Sequence, residues 1–141
     1  MKKSGSAEWK GSLRDGGGTI STETGALKNA PYGFKARFEN GPGTNPEELL
    51  GAAHAACFSM ALSLMLGNHQ LTPDYIRTKA DVTLDKVGDG FAITSSHLTV
   101  NAKIPGADAA TFERIANEAK AGCPLSKVMN AAITMDATLD A

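Results

Sequence analysis

The sequence has only two cysteines in 141 residues, Cys57 and Cys123. Two thiols cannot form a disulfide scaffold or fill a four-thiolate zinc site. It also lacks an excess of either charge. Lys+Arg is 14, Asp+Glu is 15, and the formal net charge is -1. Binding to nucleic acid or to an anionic membrane surface calls for a basic surplus, so neither partner is expected. No repeat and no low-complexity linker interrupts the chain, and residues 1–141 read as one domain. Lys2 and Lys3 are not followed by an apolar stretch, so no export signal is expected. The expected compartment is the cytoplasm, where thiols stay reduced. What is present is a 42% hydrophobic fraction, enough for a real core.

Leu49 to Leu66 is a largely apolar run of 18 residues without a formal charge. It reaches the lower limit for a membrane span. Gly51, His54, Ser59 and Ser63 dilute it, and no aromatic or basic flank anchors it, so a helix buried in a soluble core is expected. Asn45-Pro46-Glu47-Glu48 begins that helix: Asn45 as N-cap, Pro46 at the first helical position and Glu48 as the capping-box acid. Gly67-Asn68 ends it.

Alternation marks strands at residues 7–14, 19–23 and 32–39 before this helix. After it, Ile76 to Lys86 and Phe91 to Ile104 alternate about a Gly88-Asp89-Gly90 turn, with a phase change at Ser95-Ser96-His97 that predicts a bulge. Asp108 caps a helix carrying Phe112, Ile115, Ala116 and Ala119. Gly122 stops it, Pro124 opens a short helix to about Met129, and Ile133 to Leu139 forms a last strand. The order βββ-α-ββ-αα-β lacks a βαβ rhythm, so the fold class is α+β with antiparallel sheet. The glycines at 16–18 are a turn, since no Lys-Ser/Thr pair follows them.

Cys57 sits mid-helix, where burial alone would raise its pKa, so reactivity there requires a cation. Cys123 stands between two helices, at an N-cap position that favours a thiolate. His54 lies one turn before Cys57, and such a Cys–His pair suits either catalysis or a fragment of a metal site. Arg37 reads as a solvated charge on the polar face of a strand. Glu47 reads as a favourable charge at a helix N-terminus.

Asn45-Pro46-Glu47-Glu48-Leu49-Leu50-Gly51-Ala52-Ala53-His54-Ala55-Ala56-Cys57, taken with Gly122-Cys123-Pro124 and Pro31 to Phe38, resembles the OsmC/Ohr family of thiol-dependent peroxidases, in its osmotically inducible OsmC branch. The resemblance implies an intertwined homodimer, with two long central helices wrapped by antiparallel sheets. It implies reduction of organic hydroperoxides in oxidative and osmotic stress defence. By position, Cys57 matches the peroxidatic thiol and Cys123 the resolving thiol. Arg37 matches the arginine that activates the first cysteine, and Glu47 the carboxylate that holds it. The reaction then passes through a Cys57 sulfenic acid and a Cys57–Cys123 disulfide, which an external dithiol, of lipoyl type by resemblance, reduces again. No cofactor and no metal is expected. Phe34, Phe38, Phe58 and Met60 furnish either an apolar wall for bulky hydroperoxides or ordinary core. Two rival readings are a non-catalytic protein binding a lipid or other small molecule in the same cleft, and a metal-dependent hydrolase using His54.

Overall fold

A computed structural model covers residues 1–141. The elements run β1 (Gly5–Lys10), β2 (Gly17–Thr22), β3 (Ala30–Tyr32), α1 (Phe34–Phe38), α2 (Pro46–Asn68), β4 (Tyr75–Val87), β5 (Gly90–Lys103), α3 (Ala109–Gly122), α4 (Pro124–Val128) and β6 (Ala132–Asp140). The expected order holds, with one short helix added. The chain divides into two compact units, Met1–Leu49 and Leu50–Ala141.

In the first unit β1, β2 and β3 form an antiparallel sheet. β1 is shorter than its alternation suggests. Gly11 takes a φ of 92°, a conformation L side chains avoid, and the strand stops at Lys10. Residues 34–38, expected as strand, are helical. A spacing of four places Phe34 and Phe38 on one face under either period, so alternation over so short a stretch cannot separate the two. Their rings meet at 4.9 Å, and Arg37 N–H donates to Gly33 C=O at 3.2 Å. Asn40, at a φ of 55°, follows the turn. Of these 49 residues only Ala36 is buried.

α2 begins as its sequence dictates. Glu48 N–H donates to Asn45 Oδ1 at 2.8 Å, and Asn45 Nδ2 donates to Ala36 C=O at 3.3 Å. The Glu48 carboxylate accepts from the Thr44 hydroxyl rather than closing the expected box on Asn45. By length and composition this helix could cross a membrane, while its diluted apolar run predicts a helix buried in a soluble core. Burial is in fact confined to a stripe of Gly51, His54, Phe58, Leu62 and Leu66, while Ala52, Ala53, Ala56, Met60 and Leu64 are exposed.

The second unit packs α2 and α3 with a sheet ordered β4-β5-β6. β4 and β5 form a long antiparallel hairpin closed by Gly88-Asp89. The register skips Thr94, one residue before the predicted phase change. That bulge sends Ser96, Leu98, Val100 and Ala102 inward. β6 pairs with β5 in parallel, against the all-antiparallel expectation. Parallel partners need a long crossover, and here two helices split by Gly122-Cys123-Pro124 supply it, which hid the βαβ rhythm. α3 buries the four residues expected, Phe112, Ile115, Ala116 and Ala119, and Asp108 caps it by accepting from Thr111 N–H at 2.8 Å. Gly51 allows α2 to lie against β4: a Cβ there would stand 2.9 Å from the Ala80 carbonyl oxygen.

Candidate active site

Two pairs of sequence-predicted residues meet, one in each unit. In the first, Arg37 on α1 donates from Nε and Nη2 to Glu47 Oε1 at 3.1 and 2.8 Å. The Glu47 side chain is 11% exposed and that of Arg37 38%, so the carboxylate is spent on the pair while the guanidinium can still address another group. Arg37 is therefore no freely solvated strand charge, because the helical turn of α1 aims it at the first turn of α2.

A pocket of about 270 Å³ adjoins this pair, lined by Trp9, Leu13, Tyr32, Phe34, Arg37 and Phe38. Trp9 and Tyr32 contact each other at 5.4 Å between ring centroids. Apolar walls beside one cation suit a ligand with a greasy body and a polar tip. Of the four residues proposed as a wall, Phe34 and Phe38 line it. Phe58 is core, at 0% exposure, and Met60 is exposed.

In the second unit, Cys57 and Cys123 are free thiols that share one core and interact with each other. Burial, then the neighbouring Cys123 thiol, pushes the Cys57 thiol up, and the backbone N–H of Leu125 pulls it the other way. Cys123 is the N-cap of α4, yet its side chain makes no capping bond and is fully buried. It is turned to its partner thiol rather than to the helix end.

His54 is not paired with Cys57. Its Nδ1 meets Ser96 Oγ at 2.7 Å and its Nε2 meets Ser126 Oγ at 2.8 Å. Burial holds the imidazole pKa below its ordinary value, so the ring is neutral near pH 7. No group of three His, Cys, Asp or Glu side chains converges as a metal-ligand set.

The model of the family described as "OsmC-like protein" matches residues 39–138. That span holds Glu47, Cys57 and Cys123, with Arg37 just ahead of it. The chain belongs to the OsmC-like family. It is 59% identical over 136 residues to "Peroxiredoxin OsmC" of Escherichia coli strain K12, covering 96% of this chain and 95% of the relative. It is 32% identical over 99 residues to "Organic hydroperoxide resistance protein OhrA" of Bacillus subtilis strain 168, covering 69% and 66%. The crystal structure of the organic hydroperoxide resistance protein OhrB of Bacillus subtilis superposes with a TM-score of 0.72 at 27% identity, covering 97% of this chain and 98% of that one. The OsmC-like fold is thus shared along nearly the whole chain.

Sequence reasoning missed Ser96, Ser126 and the Leu125 N–H. The first left a signal. Ser96 shares the inward phase of Leu98, Val100 and Ala102, and a serine buried among such neighbours needs a partner.

Proposed function

We propose that this OsmC-like protein is a thiol peroxidase that reduces organic hydroperoxides to alcohols, in oxidative and osmotic stress defence. The observation that carries the reading is that the two free thiols, Cys57 and Cys123, interact within one core, in a chain 59% identical to a protein named as a peroxiredoxin. The Cys57 thiolate attacks the terminal peroxide oxygen. An S–O bond forms and the O–O bond breaks; sulfur is oxidised by two electrons, and the alkoxide takes a proton to leave as the alcohol. Cys123 then displaces hydroxide from the sulfenic acid, giving a disulfide and water. An external dithiol, of lipoyl type, restores both thiols by exchange. The cytoplasm provides the reducing setting this cycle needs.

Cys57, half-buried and with its thiol pushed up by desolvation, becomes a thiolate at neutral pH only beside a cation. In this reading Arg37, held by Glu47, supplies the charge and faces the oxygen on which negative charge develops. Glu47 and Cys57 stand ten residues apart in one helix, about 15 Å of rise, so one copy of α2 does not bring them together. Two copies crossing antiparallel at Ala52 set Glu47 of one level with Cys57 of the other. Ala52, Ala53 and Ala56 are exposed there and small enough for close approach. The same pairing covers Met60 and Leu64, which are 75% and 68% exposed. It also gives cover to an N-terminal unit with one buried residue, too little core to stand alone. The working form is accordingly a homodimer, each chain acting along 1–141 as one OsmC-like domain.

The test is consumption of an organic hydroperoxide with a dithiol reductant. Cys57→Ser abolishes it, and Cys123→Ser allows one turnover and leaves a trappable sulfenic acid. Full activity of both variants would instead favour a protein that only binds a small apolar ligand.

A further inference from the structure

α4 carries the resolving side of the site on a slender support. It has five residues, none of them fully buried. Three polar interactions tie it and its cap to α2: that of the Cys123 thiol with Cys57, that of the Leu125 N–H with Cys57, and the hydrogen bond between the Ser126 hydroxyl and His54 Nε2 at 2.8 Å. The first two involve the sulfur that reacts. Oxidation of Cys57 replaces its S–H by S–OH and so changes both of these interactions just when Cys123 must be near. Only the His54–Ser126 bond contains no reacting atom.

The ring is well placed for such a task. It is fully buried, one turn from Cys57 along α2, and anchored from the opposite side by Ser96 of β5. A neutral imidazole donates through one nitrogen and accepts through the other, and a hydroxyl serves either role. Both nitrogens are engaged by serines, so neither is left to bond a thiol.

We propose that His54 is a positioning residue for resolution, holding α4 through Ser126 so that Cys123 stays within reach of the oxidised Cys57. This rests on the reading of Cys57 as peroxidatic and Cys123 as resolving. The step it governs is condensation of the Cys57 sulfenic acid with the Cys123 thiol. The S–O bond breaks, the S–S bond forms, and the thiol proton leaves with the hydroxide as water.

The experiment mixes reduced full-length protein with one equivalent of tert-butyl hydroperoxide. Sulfenic acid is followed by 1,3-diketone labelling and disulfide by intact mass. Ser126→Ala forms sulfenic acid at the wild-type rate and converts it to disulfide about tenfold more slowly, the ratio set by one net hydrogen bond. The Gln amide nitrogen overlaps the place of Nε2 and that of Asn the place of Nδ1. His54→Gln therefore resolves near the wild-type rate, and His54→Asn is slowed like Ser126→Ala. Thr78→Val is the control. It removes a comparable 2.7 Å bond between α2 and β4, from Ser59 to Thr78, and leaves resolution unchanged. Wild-type resolution in Ser126→Ala, equal slowing in Thr78→Val, or a reversed order of Gln and Asn overturns the assignment. Absence of both sulfenic acid and disulfide in the wild type overturns it together with the peroxidase reading, and so separates the two failures.

Discussion

Glu47 receives both hydrogen bonds from Arg37 on one oxygen, Oε1, at 2.8 and 3.1 Å. The pair engages Nε and Nη2 and leaves Nη1 outside it. A guanidinium fixed on one edge and exposed on another is oriented for a second anionic partner. If that partner is the Cys57 thiolate, Arg37→Ala raises the Cys57 pKa by about 1–3 units, the range for loss of one close opposite charge. The rate of hydroperoxide reduction at pH 7 then falls with the thiolate fraction, by at most about 10- to 1,000-fold. Thiol alkylation against pH measures the first and stopped-flow kinetics the second. An unchanged titration removes Arg37 from the activation argument.

Mixing variants tests whether the site is shared between copies. Alone, Cys57→Ser is inactive and Arg37→Ala is slowed. Unfolded together and refolded as mixed dimers, they regain activity, because one of the two shared sites then has an intact Arg37 and an intact Cys57. A site built within one chain regains nothing.

The exposed apolar flank of α2 gives a prediction about assembly. Met60→Glu with Leu64→Glu places two charges where a second copy would remove them from water, and an unpaired buried charge is strongly unfavourable. Sedimentation should show dissociation of the dimer, with peroxidase activity lost in parallel. A double variant that stays dimeric and active means that this flank is not the interface.

His54 makes stability pH-dependent. Burial lowers its pKa in the folded chain, so below about 6.5, the ordinary histidine value, the unfolded chain binds the proton first. The contribution of His54 is complete above that value and is lost as pH falls towards the folded pKa. Unfolding midpoints in urea should drop between pH 7.5 and pH 5.5, more for the wild type than for His54→Gln, which carries no titrating ring. An equal drop in both proteins assigns the effect to other groups.

Gly51→Ala tests the seating of α2. The added methyl meets a backbone oxygen, which cannot rotate away, so the helix must shift from β4. The expected loss is about 1–3 kcal/mol of unfolding free energy, the range for overpacking. A gain in stability, as helix propensity alone would give, shows that the seat has slack.

Much of the second unit was legible in the sequence because its elements are long and regular. α2 announces itself by Asn45 and Pro46, α3 by Asp108 and four residues at helical spacing, and the β4–β5 hairpin by alternation on both sides of Gly88. α1 was misread because five residues hold too few positions to separate a period of 2 from one of 3.6. The parallel β6 was missed because direction within a sheet depends on the crossover and leaves no mark in a strand's own alternation. His54 was read with Cys57 because they neighbour each other along the helix. Its actual partners, Ser96 and Ser126, come from β5 and α4, far away in the chain.

The sequence by itself determined which segments fold locally and which residue types are available for chemistry: two thiols, one arginine and one carboxylate in a recognisable frame. Capping, turn formation and periodic burial act over a few residues, and so they can be read from a few residues. Only the tertiary structure decided that Arg37 lies on a helical turn against Glu47, that Cys123 faces Cys57 instead of capping α4, and that His54 spans two serines. Those contacts are selected by the packing of elements against one another, where a buried polar atom takes whatever partner the assembled core brings within hydrogen-bond distance.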